Sequence, residues 1–232
     1  MLFDKFVNKT VITGKLIAVD PIHIGSSDNN TLDPTAVDNS VLKDSTGRAV
    51  IPGSSLKGVV RSYFESVVRA AYGKDAACDV FDNNNSCSEQ KSAIGDRKEA
   101  AEEDYKESCM VCKLFGGKRI AGKLSFKDSF SLEIPLYEHR DGVGINRETG
   151  AAARRRKYDF EIIPKGTEFD FCLIAENLDD EQEKQLNFII KSLESKELTI
   201  GGKTTRGLGR FYLSEKNISR TTADDLREFL FI

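Results

Sequence analysis

Apolar positions recur along residues 56–71 at Leu56, Val59, Val60, Tyr63, Phe64, Val67, Val68 and Ala71. Steps of three, four and seven residues predict a helix with one buried face. Residues 179–195 repeat the pattern, with Leu186, Ile189, Ile190 and Leu193 on one side. Elsewhere the period shortens to two. Residues 10–19 (TVITGKLIAV), 123–132, 158–163 and 168–175 read as strands, and 201–213 as a glycine-rich turn entering a last strand. Two polar stretches, 74–107 and 139–157, interrupt the series. Without them the order is strand, helix, strand, strand, helix, strand. That predicts an α+β domain of the ferredoxin-like kind. One domain over 1–232 is expected, with a cysteine-containing insertion at about 73–118 and a long hairpin at about 134–158.

The start of the first helix is chemically odd. In 51–65, IPGSSLKGVVRSYFE, Pro52 and Gly53 break the chain and Ser54 or Ser55 is the expected N-cap. Lys57 then falls in the first turn, where the helix dipole disfavours a cation, and Arg61 one turn later repels it. A bound phosphate would relieve both penalties. The plain alternative is a solvated helix start with Arg61 paired to Glu65.

Composition narrows the classes. Apolar residues make up 39% of the chain, enough for a core, and charged residues 31%. No run of about 18 apolar residues suggests a membrane span. The first residues lack a signal-peptide pattern, so the cytoplasm is the expected compartment. A net charge of −3 excludes a generally basic nucleic-acid binder, so RNA contacts must come from local patches.

Such patches exist. Residues 139–157 carry Arg140, Arg147, Arg154, Arg155, Arg156 and Lys157 against Asp141 and Glu148. Glycines and length suggest a projecting hairpin whose arginines meet a phosphate backbone, with a solvated loop as the alternative. In 200–211, IGGKTTRGLGRF, a phosphate-binding loop of the nucleotidase kind is excluded, because position 197 is Glu197 where that motif needs glycine. Gly201, Gly202, Gly207 and Gly209 there allow close backbone approach, and Lys203 and Arg206 can meet phosphates, unless the segment is only a tight turn.

Cys78, Cys87, Cys109 and Cys112 are spaced C-x8-C-x21-C-x2-C. The CMVC half suits two thiolates on one tetrahedral zinc, although the first half is looser than usual. Structural zinc is expected, ahead of free or redox-active thiols and of disulfides. Cys172 reads as a core residue. The loop at 26–39 holds Asp28, Asp33 and Asp38, which serve either turn chemistry or a divalent ion. Only His23 and His139 could act as acid–base histidines.

Taken together, IHIGSS (22–27), AVDNSVLKD (36–44), IPGSSLKGVVRSYFE and GGKTTRGLGRF resemble the RAMP superfamily, and most closely the repeating backbone subunit of type III CRISPR effector complexes, in its zinc-finger-bearing form. The resemblance implies an RRM-like palm, a thumb hairpin and a finger insertion. It implies partners as well: CRISPR RNA, target RNA, further copies of the chain in a filament, and other effector subunits. It implies cleavage of guide-paired target RNA at regular intervals, supported by Mg2+ or another divalent ion. Residue by residue, Ser54, Ser55, Lys57 and Arg61 would meet CRISPR-RNA phosphates, 201–210 would flank the same path, and 139–157 would be the thumb. The catalytic aspartate would be Asp38, with Asp33 as second choice. The alternatives are a non-cutting scaffold, a stand-alone RAMP endoribonuclease that uses His23 or His139 to process precursor CRISPR RNA, and a zinc-stabilised RNA-binding module of another family.

Overall fold

Alternation along the first strand sets the architecture. Asn8, Thr10, Ile12, Leu16 and Ala18 are buried, while the residues between them are partly or fully exposed. One face of this strand is therefore covered and the other is open. The computed structural model describes residues 3–26, 39–81, 86–87, 97–117 and 119–230. Along the chain it contains β1 (Asn8–Ala18), β2 (Val50–Ile51), α1 (Gly53–Tyr72), α2 (Arg97–Glu107), α3 (Met110–Phe115), β3 (Leu124–Phe126), β4 (Ser129–Phe130), β5 (Glu138–Ile145), β6 (Ala152–Ile162), β7 (Glu168–Glu176), α4 (Asp180–Glu194), β8 (Phe211–Thr222) and α5 (Ala223–Leu230).

The result is a mixed fold of helices and antiparallel sheets. Four strands pair antiparallel in the order β3-β7-β1-β8. At the centre Ile12 lies opposite Leu173 on one side and Ile218 on the other. Gly14 sits where the β1–β8 register shifts, and a Cβ there would lie 2.8 Å from the Ser214 carbonyl oxygen. Phe169, Phe171, Leu173 and Ala175 of β7 extend the covered face. Leu56, Val60, Phe64 and Val68 of α1 and Leu186, Ile189, Ile190 and Leu193 of α4 close over it in one continuous cluster. The helices touch through Tyr63 and Phe188, whose rings stack 6.2 Å apart. Each such fully buried side chain contributes about 1.5–3 kcal/mol, and Ala77, Val111, Leu114 and Phe115 of the cysteine insertion belong to the same cluster. Among the described residues no helix is long and apolar enough to cross a membrane.

Several local expectations need correction. Neither Ser54 nor Ser55 caps α1. The helix starts at Gly53, and the Gly53 N–H donates to Asp128 Oδ1 at 2.8 Å. A Cβ on Gly53 would lie 2.2 Å from the Phe126 carbonyl oxygen, so glycine lets the helix start against the sheet. The expected strand at 123–132 is broken into β3 and β4 by the turn that carries Asp128. The segment at 139–157 does form a hairpin, in which β5 and β6 pair from Glu138↔Ile162 to Ile145↔Ala152. The polar insertion contains α2 and α3. Cys172 is only half-buried and points away from the core.

Candidate nucleic-acid interface

The base of the β5–β6 hairpin gathers aromatic rings and cations. Tyr158 and Phe160 alternate along β6 and stack at 6.1 Å. Leu208 packs against Phe160 and Ile162 and brings the glycine-rich segment onto the hairpin. Lys203 Nζ then stands 4.3 Å from the Phe160 ring centroid, and Arg206 Nη1 donates to the Tyr158 hydroxyl at 2.5 Å. Lys203 adopts a left-handed backbone, φ 61°, which costs a non-glycine residue about 1–2 kcal/mol. Burial, reinforced by Arg206, lowers its pKa. A strained, partly desolvated lysine beside an arginine and two rings is suited to hold a phosphate next to a stacked base.

The glycines serve this arrangement from within. A Cβ on Gly201 would lie 2.2 Å from the His23 carbonyl oxygen, and one on Gly209 would lie 2.5 Å from that of Ile200. Gly202 N–H donates to the His23 carbonyl and Gly209 N–H to that of Pro21. Gly201 and Gly209 thus meet the chain's own backbone, where sequence suggested room for a ligand. His23 is buried, 5% exposed, with Nδ1 2.7 Å from the Glu161 carbonyl oxygen and its ring edge-on to Phe160. Burial lowers its pKa, so it is a neutral packing residue at pH 7.

The loop carrying the three aspartates is footed beside this base. Ser26 N–H donates to the Ser40 carbonyl, Gly25 bridges Val41, and Glu161 N–H donates to the Asn39 carbonyl. Asn39 Nδ2 also reaches the Asp159 carbonyl at 3.1 Å. Buried Glu161 spends both carboxylate oxygens on the far foot, accepting from Val41 N–H at 3.0 Å and from Lys43 Nζ at 2.7 Å. Asp28, Asp33 and Asp38 lie outside the described residues, as does the side chain of Arg155. His139 and Arg140, opposite Glu161 and Phe160 at the base, and Arg147, Arg154 and Arg156 further out are exposed, and Lys157 pairs with Asp141 at 3.1 Å. Sequence reasoning missed Tyr158, Phe160, Asn39, Lys43 and Glu161. The Tyr-x-Phe-x-Ile alternation at 158–162 was the available signal for the first two.

At the start of α1 the two cations separate. Lys57 is half-buried, with Nζ 3.1 Å from where a Cβ on Gly122 would lie, and burial followed by Arg61 lowers its pKa. Arg61 is engaged at all three nitrogens. Its Nε donates to Glu65 Oε1 at 2.8 Å, its Nη1 to the Gly116 carbonyl at 2.9 Å and its Nη2 to Cys112 Sγ at 3.5 Å. It faces the cysteine insertion. Part of the anion sought at this helix start is Asp128, already in place.

Cys78, Cys87, Cys109 and Cys112 converge, with all sulfurs within 4.8 Å of one another. A tetrahedral zinc with Zn–S bonds of about 2.3 Å requires sulfurs about 3.8 Å apart, so this set fits a closed four-thiolate site. Cys78 and Cys112 Sγ are 3.4 Å apart. Cys109 is the N-cap of α3 and accepts from Cys112 N–H at 3.4 Å. The side-chain hydrogen bond from Cys112 holds the Cys109 thiol down to about 4, while burial pushes Cys87 up to about 11. Among the described residues this is the one group of three or more ligating side chains.

A family model described as the RAMP superfamily matches residues 15–212, a span that includes α1, the cysteine cluster, the hairpin and most of the glycine-rich segment. Three relatives share the name "CRISPR system Cms endoribonuclease Csm3". The one from Methanothermobacter thermautotrophicus is 27% identical over 232 residues, covering 92% of this chain and 86% of the relative. That from Mycobacterium tuberculosis is 29% identical over 224 residues, covering 89% and 86%. That from Streptococcus thermophilus is 30% identical over 207 residues, covering 82% and 80%.

Proposed function

Because the chain belongs to the RAMP superfamily, we propose that it is a CRISPR-RNA-binding backbone subunit of a type III effector complex, one that cleaves guide-paired target RNA at regular intervals. The observation that carries this reading is the hairpin base. Stacked aromatics, the Lys203–Arg206 pair and the feet of an aspartate-bearing loop occur together inside the span shared with relatives named as endoribonucleases. The strand order β3-β7-β1-β8, with α1 and α4 on one face, supports a ferredoxin-like palm. The β5–β6 hairpin is then the thumb and 73–118 the finger, within one domain. The partners are CRISPR RNA, target RNA, further copies of the chain and other effector subunits, in the cytoplasm. CRISPR-RNA phosphates follow Lys57, Lys203 and Arg206, and the hairpin arginines enter beside the guide–target duplex.

Cleavage starts with attack of a target 2′-hydroxyl on its own 3′-phosphate. The P–O5′ bond breaks, leaving a 2′,3′-cyclic phosphate and a 5′-hydroxyl. In-line geometry is required, which an unstacked nucleotide can adopt and a helical one cannot. Tyr158, Phe160 and the exposed hairpin are suited to holding a nucleotide out of the stack. Asp38, or Asp33, would hold a divalent ion, which when bound stabilises charge on the phosphate.

The test is to purify the chain from its host and sequence the RNA that accompanies it. Short RNAs with one common 5′ segment, bound to several protein copies, are expected. Protein free of RNA at low salt would sink the reading.

The four-cysteine cluster is proposed to hold structural zinc. About one zinc per chain is expected in protein purified without added metal. Chelation should unfold the polar part of the finger and lower the stability of the palm without unfolding it, because Val111, Leu114 and Phe115 of the insertion share its core. Zinc near zero with four titratable thiols would reject the site.

A further inference from the structure

The side of α1 that faces the insertion carries a strip of three side chains one turn apart: Arg61, Glu65 and Arg69. Each arginine grips a different half of the cysteine cluster. Arg61 reaches the C-x2-C half, donating to Cys112 Sγ and to the Gly116 carbonyl just beyond α3. Arg69 reaches the loosely spaced half, with Nη2 donating to the Cys78 carbonyl at 2.8 Å and Nε to the Ala77 carbonyl at 3.2 Å. Glu65 stands between them, 2.8 Å from Arg61 Nε and 3.7 Å from Arg69 Nη2. Its side chain is only 15% exposed and that of Arg61 18%, so this pair is partly desolvated.

We infer that this strip is the platform on which the metal centre is assembled, and that Arg61 and Arg69 are positioning residues for the metal rather than ligands of RNA. The inference rests on the zinc reading above. Two physical reasons support it. A zinc ion with four thiolates carries a net charge of two minus, and Cys78 and Cys112 are buried. Burying such a dianion is unfavourable without nearby cations and N–H donors to sulfur. Arg61 supplies both. The second reason is geometric. Eight residues separate Cys78 from Cys87 and 21 separate Cys87 from Cys109, so local turns do not bring the halves together as a tight knuckle does. A helix that holds both halves removes part of that loop-closure entropy before the metal arrives. Metal occupancy and palm-helix stability are then linked, each favouring the other.

Zinc affinity is measured by competition with a chromophoric chelator on full-length protein, for the parent, Arg61→Gln, Arg69→Gln and Arg61→Lys. Thermal melting of metal-loaded and metal-stripped forms runs alongside. Each glutamine variant is expected to bind zinc about 10-fold or more weakly, the usual effect of losing an outer partner of a metal ligand. Arg61→Lys keeps the charge and loses the fork, so it should fall between. The metal-loaded melt should drop more than the stripped one, because a purely structural role lowers both equally. Parent and Arg61→Gln of equal affinity, or equal drops in both melts, overturn the inference and leave the zinc reading standing. A parent without zinc overturns both. Should Arg61→Gln fail to fold, Arg61→Lys decides alone: unchanged affinity there overturns the role.

Discussion

Replacing Asp38 with alanine is expected to lower target-RNA cleavage by about 10²–10³-fold, the size of effect seen when one preorganised charge-stabilising group is lost. Assembly and target binding should stay near normal. Binding rests on many phosphate contacts and on base pairing, to which one loop carboxylate adds little. Cleavage needs charge stabilisation at a single phosphate. Where the loop starts and ends supports the choice of this segment. Its feet are tied to the hairpin base through the Ser26–Ser40 hydrogen bond, the Gly25–Val41 bridge and the Asn39–Asp159 contact. Asp38 directly precedes the anchored Asn39 in the sequence. Asp33 is five residues further from the anchor. Products should end in 2′,3′-cyclic phosphate, and EDTA should stop the reaction. Asp33→Ala serves as comparison: if it stops cleavage and Asp38→Ala does not, the assignment moves and the chemistry stands. If the parent, assembled on guide RNA with magnesium, leaves the target intact, the chain is a scaffold.

Much of this was legible in the sequence, and the misses share a cause. Helix periodicity found α1 and α4, because each buries one stripe against a single sheet. Spacing and residue type found the cysteine cluster, because thiol ligation leaves few alternatives in a polar insertion. What local sequence did not show were contacts with distant partners. Ser54 and Ser55 look like caps until Asp128, 75 positions along the chain from Gly53, accepts its N–H. Arg61 reads as a phosphate ligand, and nothing local in the sequence shows that it also donates to the Gly116 carbonyl and Cys112 Sγ. Gly201 and Gly209 look like ligand contacts until His23 and Ile200 fill the space. The hairpin was legible from its length and glycines, but its arginines drew attention from the aromatic alternation that Tyr158, Phe160 and Ile162 carry near its base. Glu161 was invisible, since nothing local marks a carboxylate that holds one foot of the loop, at Val41 and Lys43, 120 and 118 positions away.

The hairpin itself yields the second large effect. Arg140, Arg147, Arg154 and Arg156 are exposed on β5, β6 and the turn between them. No hydrogen bond or ion pair to another part of the protein accounts for them among the described contacts, in contrast to Lys157, which Asp141 engages. Four cations left on one two-stranded projection, in a chain of net charge −3, repel one another and gain nothing from the fold. Their replacement by alanine together should therefore cost little stability, within about 0.5 kcal/mol for each exposed site. RNA affinity should respond strongly. Each phosphate contact on a single strand contributes about 0.7 to the slope of log affinity against log salt, so four lost contacts lower the slope by about 3. At about 0.15 M salt the same relation gives a loss of roughly two orders of magnitude in affinity, shrinking toward none near 1 M. Lys57→Ala, a single contact on the palm, should lower the slope by about 0.7 and leave hairpin-dependent binding in place. Affinity measured for guide RNA, and for guide–target duplex, across a salt series decides the matter. A fourfold variant with the parent's slope would mean that the arginines face solvent in the assembled complex. A variant whose affinity falls equally at every salt concentration would mean that the hairpin acts through shape, and the phosphate assignment would have to be withdrawn.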